Sequence, residues 1–394
     1  MKQLQVKPLA TKQIKQGQRL VKLDDLCQPQ QLADYKEGDV VAICDKAGQF
    51  LGQLLVGRQQ KGIGWIYTQT KGRIFDADWV REKVQQAIQT RQSYFLDEGT
   101  TAFRLVNGEG DGLGGVTVDW YAGYLQLNWY AEGIYRYREA FVQSLVQLLP
   151  TIKGIYETKR FTQETAEQAI QHIWGEVAPR PLVIQEHRVN YAIHLGEEWM
   201  TGLFLDQRDV RDYLMQQVAG KSVLNLFSYT GAFSVAAACG GASQTVSVDV
   251  AKRSLAKTSE NFGLNQIEAP SATHEIRVGD VFEYTRFALR KKLQFDWVVC
   301  DPPSFARTKK YRFSAVQDYL ELAKDLCLLV APKGCIVLST NHSGYSMEKF
   351  RQDMLTASQG KFELIAEFRQ PDDFKATKDP ESQYLKVLVL QRRA

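Results

Sequence analysis

The first seventy residues alternate apolar and polar positions in short runs. "GDVVAICDKAGQFLGQLLVG" (38–57) holds two β-rich runs joined by "DKAGQ", a hairpin signal, and "GIGWIYT" (62–68) adds a third. They predict a small β domain, barrel-like in outline, over residues 1–72. The period then lengthens. Trp79, Val80, Val84 and Ile88 share one helical face, and Asp76 stands where an N-cap belongs. A glycine-rich stretch, "NGEGDGLGG" (107–115), leads into alternating runs. A helix near 134–148 and further strands up to about 195 complete an α+β middle domain, 73–193. The stretch has no G-x-x-x-x-G-K-[ST], so its glycines read as tight turns, not as a phosphate loop.

From about 194 to 394 the grammar is strand, turn, helix, repeated. "SVLNLFS", "TVSVDV", "HEIRVGD", "FDWVVCD" and "GCIVLST" are short β-branched runs with helical stretches between them. This alternation predicts an α/β, Rossmann-like domain with a mainly parallel sheet. Ligands on such sheets lie beyond the carboxyl ends of the strands, so those ends are where chemistry is expected. The first end reads Phe227-Ser-Tyr229-Thr230-Gly231 and opens a helix. The second ends at Asp249, spaced to grip ribose hydroxyls or to cap the next helix. The third ends at Asp280, an acceptor for an amino group or again a cap. The fourth ends at Asp301-Pro302-Pro303-Ser304-Phe305. There proline stops the strand, and Phe305 offers a face for a base to stack on. Three acids on consecutive strand ends point to an adenosine site.

Bulk properties change this picture little. The 394 residues suit two or three domains, and a formal charge of +4 is too mild to prove a nucleic-acid partner. Two local basic sets, 290–292 and 307–312, face either phosphates or solvent, and the first reads better as a solvated face. The six cysteines form no C-x-x-C pair, so no metal site is expected and a reducing, cytoplasmic setting fits best. The first twenty residues lack a secretory apolar core, and no run is apolar enough to span a membrane.

The ordered set N-L-F-S-Y-T-G-A-F-S, S-V-D-V, V-G-D-V-F-E-Y and D-P-P-S-F resembles the motifs of class I S-adenosylmethionine-dependent methyltransferases. "WMTGLFLDQRDVR" (199–211) and "FRLVNGEGDGLGGVTVD" (103–119) are similar to one subgroup, the bacterial 23S rRNA methyltransferases with an N-terminal PUA domain, best known as cytosine-C5 enzymes. The resemblance implies S-adenosyl-L-methionine as cofactor, RNA as partner, no membrane, and a PUA-like RNA-binding module in front; it leaves a homodimer open. It also implies residue roles. Gly231 and its turn, with Phe227, Tyr229 and Thr230, would run under the methionine part. Asp249 would hold the ribose, Asp280 the adenine edge, and Asp301 would face both the cofactor's methyl group and the region of the target base. Gln207 and Arg208 would close the cofactor pocket.

Cytosine C5 is a poor nucleophile and is normally activated by adding a cysteine thiolate to C6. The subgroup carries that cysteine at the end of the fifth strand. Here the matching position is Asn341 or His342 in "STNHSG". Cys300 is the tempting substitute, but a strand alternates its faces, so Cys300 and Asp301 point apart and Cys300 reads as core. Guanine N7, which carries its own lone pair, needs no covalent help. A strand end of this kind with D-P-P-S-F also resembles guanine-N7 rRNA methyltransferases. The sequence therefore predicts an S-adenosylmethionine-dependent RNA methyltransferase acting on cytosine C5 or guanine N7 of 23S rRNA. The alternatives are an RNA-binding protein with a silent methyltransferase domain and, behind it, a dinucleotide oxidoreductase, for which G-x-G-x-x-G is missing.

Overall fold

The computed structural model describes residues 3–307 and 312–393. The chain divides into two compact units. One comprises residues 1–184, 193–201 and 372–382; the other 185–192, 202–371 and 383–394.

The first unit holds two five-stranded sheets. In one, Val40–Cys44 pairs with Phe50–Gln59 and that strand with Gly62–Thr68, all antiparallel. The "DKAGQ" turn is held by Asp45, whose Oδ1 accepts the N–H groups of Ala47 and Gln49. The second sheet runs Ala102–Asn107, Val116–Tyr121, Tyr124–Trp129, Gly154–Lys159 and Ile170–Gly175. Helix Ala77–Thr90 covers it, and Asp76 caps that helix by accepting the Trp79 N–H at 2.9 Å. The helix expected near 134–148 is two pieces, Glu132–Tyr135 and Arg138–Leu148. The first is pinned because a Cβ on Gly133 would stand 1.9 Å from the Val56 carbonyl oxygen. The glycine-rich stretch is a short 3₁₀ turn, Gly108–Asp111, followed by left-handed Gly112 (φ 76°) and Gly115 (φ 93°), as turn chemistry requires.

One buried ion pair fastens this unit. Arg91, fully buried, grips both oxygens of Asp111 at 2.6 and 2.8 Å and donates to the Asp373 carbonyl. Removing one partner strands the other charge in the interior. Arg91→Met should therefore cost about 3–5 kcal/mol of stability, seen as an early transition in chemical denaturation; an unchanged midpoint would show the pair is dispensable.

The second unit is built on a seven-stranded sheet. Its strands are β1 (Ser222–Leu226), β2 (Gln244–Asp249), β3 (His274–Val278), β4 (Phe295–Cys300), β5 (Val330–Thr340), β6 (Phe362–Phe368) and β7 (Lys386–Arg392). The order across the sheet is β3-β2-β1-β4-β5-β7-β6. β1 to β5 are parallel, and β7 enters antiparallel between β5 and β6. β5 starts at Val330, earlier than "GCIVLST" suggests, so Cys335 lies mid-strand. Helices α1 (Arg208–Gln217), α2 (Ala232–Cys239), α3 (Arg253–Leu264), α4 (Val281–Arg290), α5 (Ala315–Leu328) and α6 (Met347–Ala357) supply the crossovers and flanking layers. One apolar cluster lies beneath α4, α5 and α6, with Leu224, Val246, Val298, Ile336 and Leu388 from the strands; another lies beneath α1 and α2, with Val223, Val299, Val337 and Val389. Burial on both faces explains why these strands read as continuous apolar runs. The order reverses between β1 and β4, which places a crevice at their carboxyl ends. No helix among the described residues is long and apolar enough to cross a membrane.

Candidate active site

The turn after β1 is strained and then anchored. Phe227 (φ 56°), Tyr229 (φ 52°) and Gly231 (φ 74°) are all left-handed, a conformation that persists in non-glycine residues only where surroundings enforce it. Asp249, at the end of β2, supplies the enforcement: its Oδ2 accepts the Tyr229 N–H and its Oδ1 the Ala251 N–H, both at 2.8 Å. It is not the cap of α3, which starts after Lys252. The Thr230 hydroxyl donates to the Gly202 carbonyl, and the Thr230 carbonyl accepts from Asn261. A Cβ on Gly231 would lie 2.3 Å from Thr258 Cγ2. Glycine is thus demanded here by left-handed backbone and by close packing on α3. The Phe227 ring packs with Phe282 and Phe313, each about 6.2 Å away.

Asp280 follows β3 and caps α4, its Oδ1 accepting from Phe282 N–H at 2.9 Å and Glu283 N–H at 3.1 Å. Beside these acids stand two apolar side chains that sequence reading passed over, Val250 (56% exposed) and Val278 (42%). Exposed valines next to Asp249 and Asp280 offer flat apolar contact to a ring whose polar edges the acids can address. Only their position at strand ends could have flagged them.

Asp301 lies where β4 stops. Pro302 and Pro303 carry no N–H, so the strand cannot continue its ladder there. Burial pushes the Asp301 carboxyl up to about 6; the Ser339 hydroxyl and the Gln207 amide pull the other way, Asp206 adds to the rise and Arg211 opposes it. Gln207 Nε2 also donates to Ser339 Oγ at 2.8 Å, while its Oε1 is buried with no hydrogen-bond partner among the described residues. Arg208, buried beside it, opens α1. Asn341 joins the fourth and fifth strand ends by accepting the Ser304 hydroxyl at 2.6 Å. Phe305 is 62% exposed, its ring 6.5 Å from that of His342. Ser339 was missed in the sequence because a strand-end serine carries no signal of its own. The basic set at 290–292 is exposed at the carboxyl end of α4, where cations suit the helix dipole. Of the other set, residues 308–311 lie outside the described residues.

Cys300, the thiol next to Asp301, is not accessible. Cys300 is fully buried, and burial pushes it far above the usual thiol range. Cys335 and Cys327 are buried and raised to about 11 and about 12.

Sheet order, strained first turn and strand-end acids together define a Rossmann-like enzyme domain suited to a nucleoside-bearing cofactor. Residues 104–391 match the family model of S-adenosylmethionine-dependent methyltransferases, and residues 4–69 match a PUA-like domain. The chain belongs to this S-adenosylmethionine-dependent methyltransferase family. It is 45% identical over the full length of both chains to YwbD of Bacillus subtilis (strain 168), a provisionally named ribosomal RNA large subunit methyltransferase. It is 32% identical to ribosomal RNA large subunit methyltransferase I of Enterobacter sp. (strain 638), over 89% of each chain. The crystal structure of SMU.776, a provisionally named methyltransferase complexed with SAH, superposes at a TM-score of 0.90 with 36% identity, covering 99% of this chain and all of that one.

The residues present fit the cofactor. S-adenosylmethionine carries a sulfonium, an ammonium, ribose hydroxyls and an exocyclic amine, all calling for acceptors or negative charge. The site supplies Asp249, Asp280, Asp301 and the partnerless Gln207 Oε1.

Proposed function

We propose that this enzyme methylates a base of 23S ribosomal RNA, in the large subunit, at guanine N7 in preference to cytosine C5. The ribosomal target rests on the names of the two curated relatives and on the PUA-like residues. The choice of atom rests on one observation: β5 ends in Ser339-Thr340, Asn341-His342 follow, and no cysteine stands among them. Without a thiolate to add at C6, C5 stays unreactive. Guanine N7 brings its own lone pair and loses no proton, so the protein need only align and stabilise.

The cofactor supplies an electrophilic methyl on a sulfonium. Asp249 holds the ribose, Asp280 the adenine amino edge, and Val250 and Val278 the purine faces. Phe227, Tyr229, Thr230 and Gly231 form the turn beneath the methionine part, and Gln207 and Arg208 close over it. Asp301 and Pro302-Pro303 present negative charge and a rigid edge to the target base. Phe305 stacks on it, and Asn341 holds the facing strand end. Residues 1–72 and 73–193 serve RNA binding, residues 194–394 catalysis, in a cytoplasmic setting.

Two measurements check this. Mass-spectrometric mapping of rRNA from a strain lacking the protein should show one 7-methylguanine missing from 23S rRNA. Loss of a 5-methylcytosine would overturn the choice of atom; an unchanged rRNA would overturn the target. RNA containing 5-fluorocytidine, which traps thiolate adducts, should form no denaturation-stable complex with the enzyme.

A further inference from the structure

β4 and β5 are neighbours in register, Cys300 opposite Leu338. In a parallel pair with that register, the next rung runs from the Ser339 N–H to the Cys300 carbonyl. The Tyr319 hydroxyl stands at that rung. It donates to the Cys300 carbonyl at 2.9 Å and accepts the Ser339 N–H at 3.1 Å. Tyr319 comes from α5, is fully buried, and is packed by Phe313 and Phe350 with ring centroids at 6.2 and 5.7 Å. Nor can the rung after it form, because Pro302 has no N–H. The strands are therefore bridged by a side chain at the last residues before Asp301 on one strand and at Ser339 on the other.

We propose that Tyr319 is a positioning residue for methyl transfer: its hydroxyl spaces the carboxyl ends of β4 and β5 so that the Ser339 hydroxyl meets the Asp301 carboxylate. This rests on the reading of Asp301 as the acid that faces the target base. A phenol suits the task because it gives to a carbonyl and takes from an amide at once. Burial raises its pKa well above the ordinary value, so it stays a neutral hydroxyl. With phenylalanine, the Ser339 N–H and the Cys300 carbonyl both lose this partner in the interior, where an unmade hydrogen bond is costly. Closing directly onto each other repairs that loss and draws Ser339 away from its place beside Asp301. Around Asp301 stand Asp206, Gln207 and Arg211 from the approach segment and α1, Ser339 from β5, Cys300 from its own strand and Tyr319 from α5. Of these, the Ser339 hydroxyl is the leading group that favours the ionised acid.

The test is the pH profile of methyl transfer by the full-length Tyr319→Phe enzyme, beside Asp301→Asn. Tyr319→Phe should lower kcat about 10- to 100-fold, the scale of a misplacement near 1 Å. Its KM for S-adenosylmethionine should not change, and the acidic limb of its profile should move to higher pH. A variant with a lower melting temperature but the wild-type limb and kcat would overturn the proposal, because it would show packing alone. If Tyr319→Phe does not fold, Ser339→Ala carries the same test: it removes the hydroxyl itself and must shift the limb the same way, and an unshifted limb overturns the proposal. If Asp301→Asn is fully active, the site reading fails, whatever Tyr319→Phe does.

Discussion

Asp301→Asn should still bind S-adenosylmethionine yet transfer its methyl group about 10²- to 10³-fold more slowly, the usual loss when one preorganised electrostatic partner is removed. Methylation at N7 turns a neutral guanine into a cation, so positive charge grows on the base as the bond forms. On the proposed reaction, a half-buried carboxylate fixed at the end of β4 would stabilise that charge, and an amide of the same shape would not. The pH dependence follows. Burial raises the Asp301 carboxyl from its ordinary 3.8 to about 6, so wild-type kcat/KM should fall as pH drops through about 6, and Asp301→Asn should lose that limb. Stability runs the other way. An acid whose folded pKa is raised destabilises the fold above that pKa, and the penalty fades as pH falls from about 6 towards 4. Asp301→Asn should therefore melt no lower than wild type at neutral pH. Transfer of a labelled methyl group across pH, with parallel thermal melts, reads both. Full activity in a folded Asn variant would remove Asp301 from the mechanism.

Asp249→Ala should weaken S-adenosylmethionine binding about 100-fold. Two losses combine. On the proposed role the ribose would lose its acceptor, and the Tyr229 and Ala251 N–H groups lose the carboxylate that holds the strained turn. Hydrogen bonds to a charged group are worth about 1.5–3 kcal/mol each, and 100-fold corresponds to about 2.7 kcal/mol. Asp249→Asn keeps one acceptor and should fall between. Isothermal titration calorimetry on the full chain measures the series. An unchanged affinity in Asp249→Ala would show that the ribose is held elsewhere.

Much of the fold was legible in short stretches. "DKAGQ" between β-rich runs is a hairpin because Asp45 and a glycine settle the turn locally. Asp76 caps its helix for the same reason, within three residues. Short β-branched runs alternating with helical stretches announced a mainly parallel sheet, clearest at β1, β4 and the second half of β5, which are buried. Cys300 as core followed from strand alternation beside Asp301. Other features were ambiguous because one residue type does two jobs. Asp280 reads equally as ligand group or cap, and the structure shows the cap. Gly231 reads as room for a ligand, whereas its missing Cβ makes room for Thr258. The helix near 134–148 is present as Arg138–Leu148, preceded by the short Glu132–Tyr135 piece, whose Gly133 packs against the Val56 carbonyl, a contact 77 residues away that no local period encodes.

The sequence by itself determined the parallel strands β1 to β5 with their carboxyl ends and the methyltransferase family, since each depends on periodicity, turn chemistry or ordered motifs within a few residues. Only the tertiary structure decided what those strand ends do to one another. Gln207 meets Ser339 across 132 residues, and Arg91 meets Asp373 across 282. The Tyr319 hydroxyl joins Cys300 to Ser339 between two strands it belongs to neither of. Such contacts are set by how parallel strands stack through crossovers, and a buried polar group takes whatever partner that stacking brings within reach, because the interior offers it no water.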